Sequence, residues 1–164
     1  MSKKKEKITI RVGIDFGKTI GLVEEEVPYK DSYSVINFLI RYYGKENIFI
    51  VSKARTEMKQ KINNWLVKNK FFELTNFEKN NLIFCDNYED KVNIVKKHKI
   101  NVFIDDHYKV IHGISELDQM IKVIWFNQDV DLKLISKKYR MKVVFSNKWA
   151  KLIKVFHKIN KKYF

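Results

Sequence analysis

This chain of 164 residues has one cysteine, one proline and five glycines. The lone Cys85 excludes an internal disulfide, and such cysteine usage reads by default as a reducing, cytoplasmic setting. Pro28 is the sole proline, and no Pro/Gly/Ser-rich stretch marks a linker. No segment repeats. Acidic residues are also in deficit, 19 against 33 Lys and Arg, for a formal net charge of +14. No apolar run approaches the roughly 20 residues that a membrane-spanning helix needs, so membrane insertion is not expected. The basic start Met-Ser-Lys-Lys-Lys-Glu-Lys has no long apolar segment behind it and does not read as a secretory signal.

What is present argues for an ordered core. The hydrophobic fraction is 45% and the aromatic fraction 14%, too high for a disordered chain. The length suits one domain, expected over residues 8–164 behind a solvated basic tail at 1–7. The positive charge fits a polyanionic partner such as nucleic acid. It also fits a simpler origin. Lys, Asn, Ile, Phe and Tyr abound while Ala, Gly and Pro are scarce, as AT-rich coding produces.

The apolar pattern alternates between short runs and helical spacing. Strands are expected at 8–16, 47–52, 82–85, 101–105, 122–126 and 142–146. Helices are expected at 31–43, capped by Asp31-Ser32, at 55–69, at 89–98, at roughly 114–120, and from Asn147 onward. Residues 17–30 read as a loop or small hairpin. This alternation predicts an α/β fold: a Rossmann-like, doubly wound, mainly parallel sheet of five or six strands, with helices on both faces. Apolar runs rich in Val, Ile and Phe suit such a buried sheet. In open α/β sheets the ligand sits beyond the carboxyl ends of the strands. Asp15, Ser52, Asp105 and Asp106 all fall at those ends.

The order of Val12-Gly-Ile-Asp-Phe-Gly-Lys-Thr19, Ile48-Phe-Ile-Val-Ser52, Lys91 and Val102-Phe-Ile-Asp-Asp106 resembles the haloacid dehalogenase-like (HAD) hydrolase superfamily. The resemblance covers roughly residues 8–150. Lys91 precedes Asp105 by 14 positions, which leaves room for one helix and one strand, as is common in that family. It implies a phosphohydrolase with Asp15 as nucleophile and Ser52, assisted by Thr19, on the phosphoryl oxygens. It implies Lys91 as the neutralising cation. A Mg²⁺ site would be built from Asp15, the Gly17 carbonyl and Asp106, with Asp105 in support. The expected partner is a phosphorylated substrate. The segments between Asp15 and Ser52, and between Ser52 and Lys91, are filled by expected elements. No room remains for a large cap domain, so the site should be open and suited to large substrates.

One position departs from the pattern. Phosphatases of that family usually carry Asp two positions after the nucleophile, as the group that protonates the leaving group. Here Gly17 stands there. His107 and Lys53 are the nearest substitutes. A closer similarity, through Ile50-Val-Ser-Lys53, Trp65-Leu66, Phe71-Phe72, Phe84-Cys85 and Asp90-Lys91, is to uncharacterised HAD-like proteins. Val144 and Trp149 with the basic helix behind them resemble the C-terminal segment of nucleotidase-like members. Ile14-Asp-Phe-Gly-Lys-Thr19 also resembles the phosphate loop of actin-like ATPases, but those need two large lobes that this length cannot supply. The amphipathic stretch from Lys148, with Trp149, Leu152, Ile153, Phe156 and Ile159 at helical spacing, either packs on the sheet or offers a basic surface to an acidic partner.

Overall fold

The computed structural model describes residues 9–163. The expected tail at 1–7 and the first residue of the expected first strand lie outside that range. Six strands form one sheet: β1 (Val12–Ile14), β2 (Ile48–Lys53), β3 (Leu82–Cys85), β4 (Val102–Asp105), β5 (Lys122–Phe126) and β6 (Val143–Ser146). All neighbours are parallel, in the order β3-β2-β1-β4-β5-β6. The helices are α1 (Ser32–Tyr43), α2 (Thr56–Lys68), α3 (Phe71–Thr75), α4 (Tyr88–Lys97), α5 (Tyr108–Ser115) and α6 (Trp149–Tyr163). The expected α/β sheet with helices on both faces is therefore present, and no inserted cap domain occurs among the described residues. No helix among them is long and apolar enough to cross a membrane.

Side-chain alternation along each strand explains the two layers. Val12, Ile14, Ile48, Ile50, Val102, Ile104, Ile124 and Phe126 join one buried cluster with residues of α1, α2, α3 and α6. Their neighbours Phe49, Val51, Phe103, Val123 and Trp125 join a second cluster with α4 and α5. Right-handed crossovers require this split. The chain moves outward from β1 to β3 over one face, then returns past β1 to β4 and onward over the other. The reversal lies between β1 and β4, where open sheets of this kind leave a crevice at the strand ends.

Gly13 is the weak point of β1 by size alone. It pairs with Phe49 on one side and Phe103 on the other. A Cβ there would lie 2.4 Å from Cδ2 of the fully buried Phe103 ring. We expect Gly13→Ala to destabilise the fold by about 1–3 kcal/mol, the usual cost of overpacking. Urea unfolding would read it.

Three expectations need correction. The fifth helix lies at Tyr108–Ser115, not at 114–120. It starts directly after the acidic pair because the His107 ring caps it, accepting from the Lys109 N–H at 3.3 Å. Histidine is not a common cap and Gly113 reads as a breaker, so the pattern there is poorly marked. Asp31 does not cap α1 with its side chain. It takes a left-handed φ of 66° and makes no side-chain cap bond, while its carbonyl accepts from Ser34 Oγ at 2.9 Å. The short α3, with Phe71 fully buried, was not expected at all. Within the expected α1 and α2 faces, Tyr42 is exposed and Met58 only half-buried, whereas Leu39 and Leu66 are fully buried.

Candidate functional site

Register places the site. Ile14 pairs with Ile104, so the next residues, Asp15 and Asp105, leave adjacent strands side by side. The Asp15 N–H continues the ladder by donating to the Ile104 carbonyl at 2.8 Å. Asp15 and Asp105 share the strand parity of Gly13 and Phe103, the face covered by α4. Lys91 rises from α4 to meet them. Its Nζ lies 2.5 Å from Asp15 Oδ1 and 2.7 Å from Asp105 Oδ2, and it is only 2% exposed. α4 is aimed by a capping box. The Asp90 N–H donates to Asn87 Oδ1 at 2.9 Å and the Asn87 N–H to Asp90 Oδ2 at 3.2 Å.

Asp106 has the opposite parity and stays half-buried at the mouth. Its carbonyl accepts from Trp125 Nε1 at 3.0 Å and from the Asn127 amide at 3.3 Å. Sequence reasoning missed Trp125 and Asn127 as positioning residues. Their signal lies only in their place at the end of the neighbouring strand β5. Asp105 is held in turn by the His107 N–H, at 2.8 Å from Oδ1.

A small cavity of about 220 Å³ gathers Asp15, Gly17, Ser52, Lys91, Asp105 and Asp106. Six of the seven expected site residues thus meet at one edge. Thr19 does not. It is fully buried, does not line that cavity, and its hydroxyl has no hydrogen-bond partner among the described residues. Its role is through its backbone, because its carbonyl accepts from Trp149 Nε1 at 2.7 Å. Trp65 holds the same loop from the other side, donating to the Glu25 carbonyl at 2.7 Å. Two indoles from α2 and α6 therefore pin the segment that follows Asp15.

Lys53 and His107, the substitutes considered for Gly17, also line the cavity. They belong to one stack: Lys53 Nζ lies 4.1 Å above the Tyr88 ring, and Tyr88 stacks on His107 at 4.0 Å. Burial first, and nearby lysines second, push the His107 pKa down, which favours the neutral ring.

Burial is the largest influence on the carboxylates at the strand ends. Burial pushes Asp15 up to about 7; Lys91 opposes this and Asp105 adds to it. Burial also raises Asp105 against the pull of Lys91. Asp106 is pushed up to about 6, by burial and then by Asp15. Burial acts to lower Lys91, but its two carboxylates outweigh that and hold it above its ordinary value. Lys91 is the buried ammonium among the three carboxylates, and Lys18 and Lys53 also line the cavity.

Carboxylate oxygens of Asp15, Asp105 and Asp106 all lie within 4.8 Å of one another. Asp105 is already committed to Lys91 and the His107 N–H. Asp15 keeps Oδ2, on the Gly17 side, and Asp106 keeps its carboxylate. Two hard oxygen donors facing a cavity suit Mg²⁺ better than a soft transition metal.

No protein-family model matches this chain, and no curated protein matches it. Among solved structures, a de novo designed Rossmann 3x3 fold protein is similar, with a TM-score of 0.53 at 12% identity, over 92% of this chain and 94% of that one. The likeness is one of fold: the chain is a Rossmann-like α/β protein.

Proposed function

We propose that this chain is a Mg²⁺-dependent phosphohydrolase of the HAD-like type, with an open site and Asp15 as nucleophile. The observation that carries the reading is the buried Asp15–Lys91–Asp105 arrangement with Asp106 at its mouth. A structural ion pair needs one carboxylate per lysine. Here a third lies within reach, at the crevice where this fold binds ligands. Perturbed carboxylates in a cleft are functional-site candidates.

In this reading Asp15 attacks phosphorus with one carboxylate oxygen. A bond forms to phosphorus, the ester P–O bond breaks, and the alcohol leaves with a proton from solvent. Water then splits the aspartyl-phosphate, releasing inorganic phosphate and restoring Asp15. Lys91 orients Asp15 and offsets charge on the phosphoryl group. Ser52, with the first turn of α2 that no side chain caps, donates to a phosphoryl oxygen. Asp15, the Gly17 carbonyl and Asp106 would hold Mg²⁺, which would supply charge neutralisation when bound. The lone, buried Cys85 suits a reducing, cytoplasmic setting.

Gly17 sets the test. Without a carboxyl at that position, an ester with a good leaving group, such as p-nitrophenyl phosphate, should turn over faster than an alkyl phosphate. A Cβ at Gly17 would meet only Asp15 Oδ2, at 3.8 Å, an ordinary contact, so the backbone there accepts a side chain without overlap at Cβ. We expect Gly17→Asp to raise alkyl phosphate turnover by about a hundredfold, the lower range of general acid catalysis, and to change the activated ester less. Equal effects on both esters would remove this account of Gly17.

A second reading has its own observation. Lys151, Lys154, Lys158 and Lys161 are exposed along α6, whose Leu152, Phe156 and Ile159 are buried. In it the chain binds nucleic acid, with an affinity that falls steeply with salt and survives Asp15→Asn. Salt-dependent binding without turnover would favour it.

A further inference from the structure

Beside the small cavity lies a larger cleft of about 760 Å³. Lys18, Leu22 and Asp106 line both, so the two adjoin. The larger one falls within the roughly 300–1,000 Å³ that bound small organic molecules occupy, and the smaller one falls below it. The larger cleft therefore offers the leaving group of a phosphoryl ester at Asp15 an adjoining space of that size.

The cleft has three kinds of wall. Its sides are apolar and ring-bearing: Tyr29 from the loop after β1, Phe126 at the end of β5, and Trp149 at the start of α6. Two of these rings are held. Trp149 donates to the Thr19 carbonyl at 2.7 Å and packs on Phe126 at 5.5 Å. Tyr29 is half-buried and lines the larger cleft together with Asp106, which also lines the smaller one. The rim carries the exposed carboxamides of Gln128 and Asn147, each with donors and an acceptor. Three exposed lysines, Lys18, Lys30 and Lys148, outnumber the two acids Asp31 and Asp106.

We propose that this cleft receives the substrate's leaving group and that the group is a nucleoside, the substrate being a nucleoside monophosphate, either free or at the end of a strand. The proposal rests on the phosphohydrolase reading above. A base is planar and edged with hydrogen-bonding groups, so it suits ring walls below a carboxamide rim. A simple sugar phosphate would leave the half-buried Tyr29 ring without a partner, whereas Phe126 and Trp149 already pack in the core. An acyl chain would set apolar surface against carboxamides and lysines. For a strand end, Lys148 leads onto Lys151 and Lys154 along α6, where further phosphates would lie.

The test compares kcat/KM, with Mg²⁺, for 5′-nucleoside monophosphates, ribose 5-phosphate and a 5′-phosphorylated oligonucleotide. The nucleotide should exceed ribose 5-phosphate by about tenfold or more, the worth of one stacked base. Tyr29→Leu should collapse that ratio and Tyr29→Phe should keep it. An oligonucleotide better than the mononucleotide assigns the strand end, and the reverse assigns the free nucleotide; either supports the cleft. A ratio near one in the native protein, or one that Tyr29→Leu leaves intact, overturns it. Calorimetric titration of the Asp15→Asn protein with the nucleotide separates the two claims. Binding that Tyr29→Leu weakens about tenfold, with no turnover by the native protein, keeps the cleft and removes the hydrolase reading. Turnover of p-nitrophenyl phosphate without nucleotide binding keeps the hydrolase reading and removes the cleft.

Discussion

Lys91→Met should cost about 3–5 kcal/mol of folding stability, the usual loss when one member of a buried ion pair is removed. That is a large share of the ~5–15 kcal/mol that holds a domain together. The methionine fills much of the same space, so packing contributes little. What remains is Asp15 and Asp105, both nearly or fully buried, with no cation between them. The sign of the pH dependence follows. Burial already raises both carboxylates in the folded state, and losing Lys91 raises them further. The folded variant then holds protons that the unfolded chain releases above its ordinary carboxylate pKa of roughly 4. Its stability therefore falls as pH climbs from about 4 to beyond 7, the value Asp15 holds while Lys91 is in place. Thermal unfolding at pH 5 and pH 8 should show the larger deficit at pH 8. Adding Asp15→Asn to Lys91→Met should recover part of the loss, a coupling that independent sites would not show.

Asp15→Asn should remove turnover by roughly a thousandfold or more, as loss of a nucleophile does elsewhere. The fold should survive it. Asn keeps the shape, Lys91 keeps Asp105 as its partner at 2.7 Å, and one surplus carboxylate disappears. The melting temperature at pH 8 should accordingly hold or rise. This pairing separates a chemical role from a structural one. An Asp15 that served only the ion pair with Lys91 would show lower stability on substitution, with any measured turnover reduced only in proportion to folded protein.

Much of the fold was legible because strand and helix periods differ so plainly here. Ile48-Phe-Ile-Val51 and Val102-Phe-Ile104 are unbroken apolar runs, and both are buried throughout. The boundaries of β2, β3, β5 and β6 fell within a residue or so of those expected. β1 shrank to Val12–Ile14, since Phe16 turns its carbonyl to the following turn at Ile20 instead of to a neighbouring strand. Of the candidate site, residues at strand ends were readable because their position follows from pairing alone. Thr19 was not, since a loop residue's direction depends on distant anchors, here Trp149, 130 positions away. Asp31 failed for a related reason: the left-handed turn before α1 leaves its side chain no route to the helix N–H groups. The larger cleft was invisible because its walls come from four segments that only the fold brings together.

The central claim is that Asp15 carries the phosphoryl group. Acid quenching during Mg²⁺-supported turnover of p-nitrophenyl phosphate, followed by peptide mapping, tests it directly. The account predicts a hydroxylamine-sensitive phosphoryl adduct on the peptide containing Asp15, absent without Mg²⁺ and absent in Asp15→Asn. Product formed with the adduct on another residue, or turnover that persists undiminished in Asp15→Asn, would contradict it.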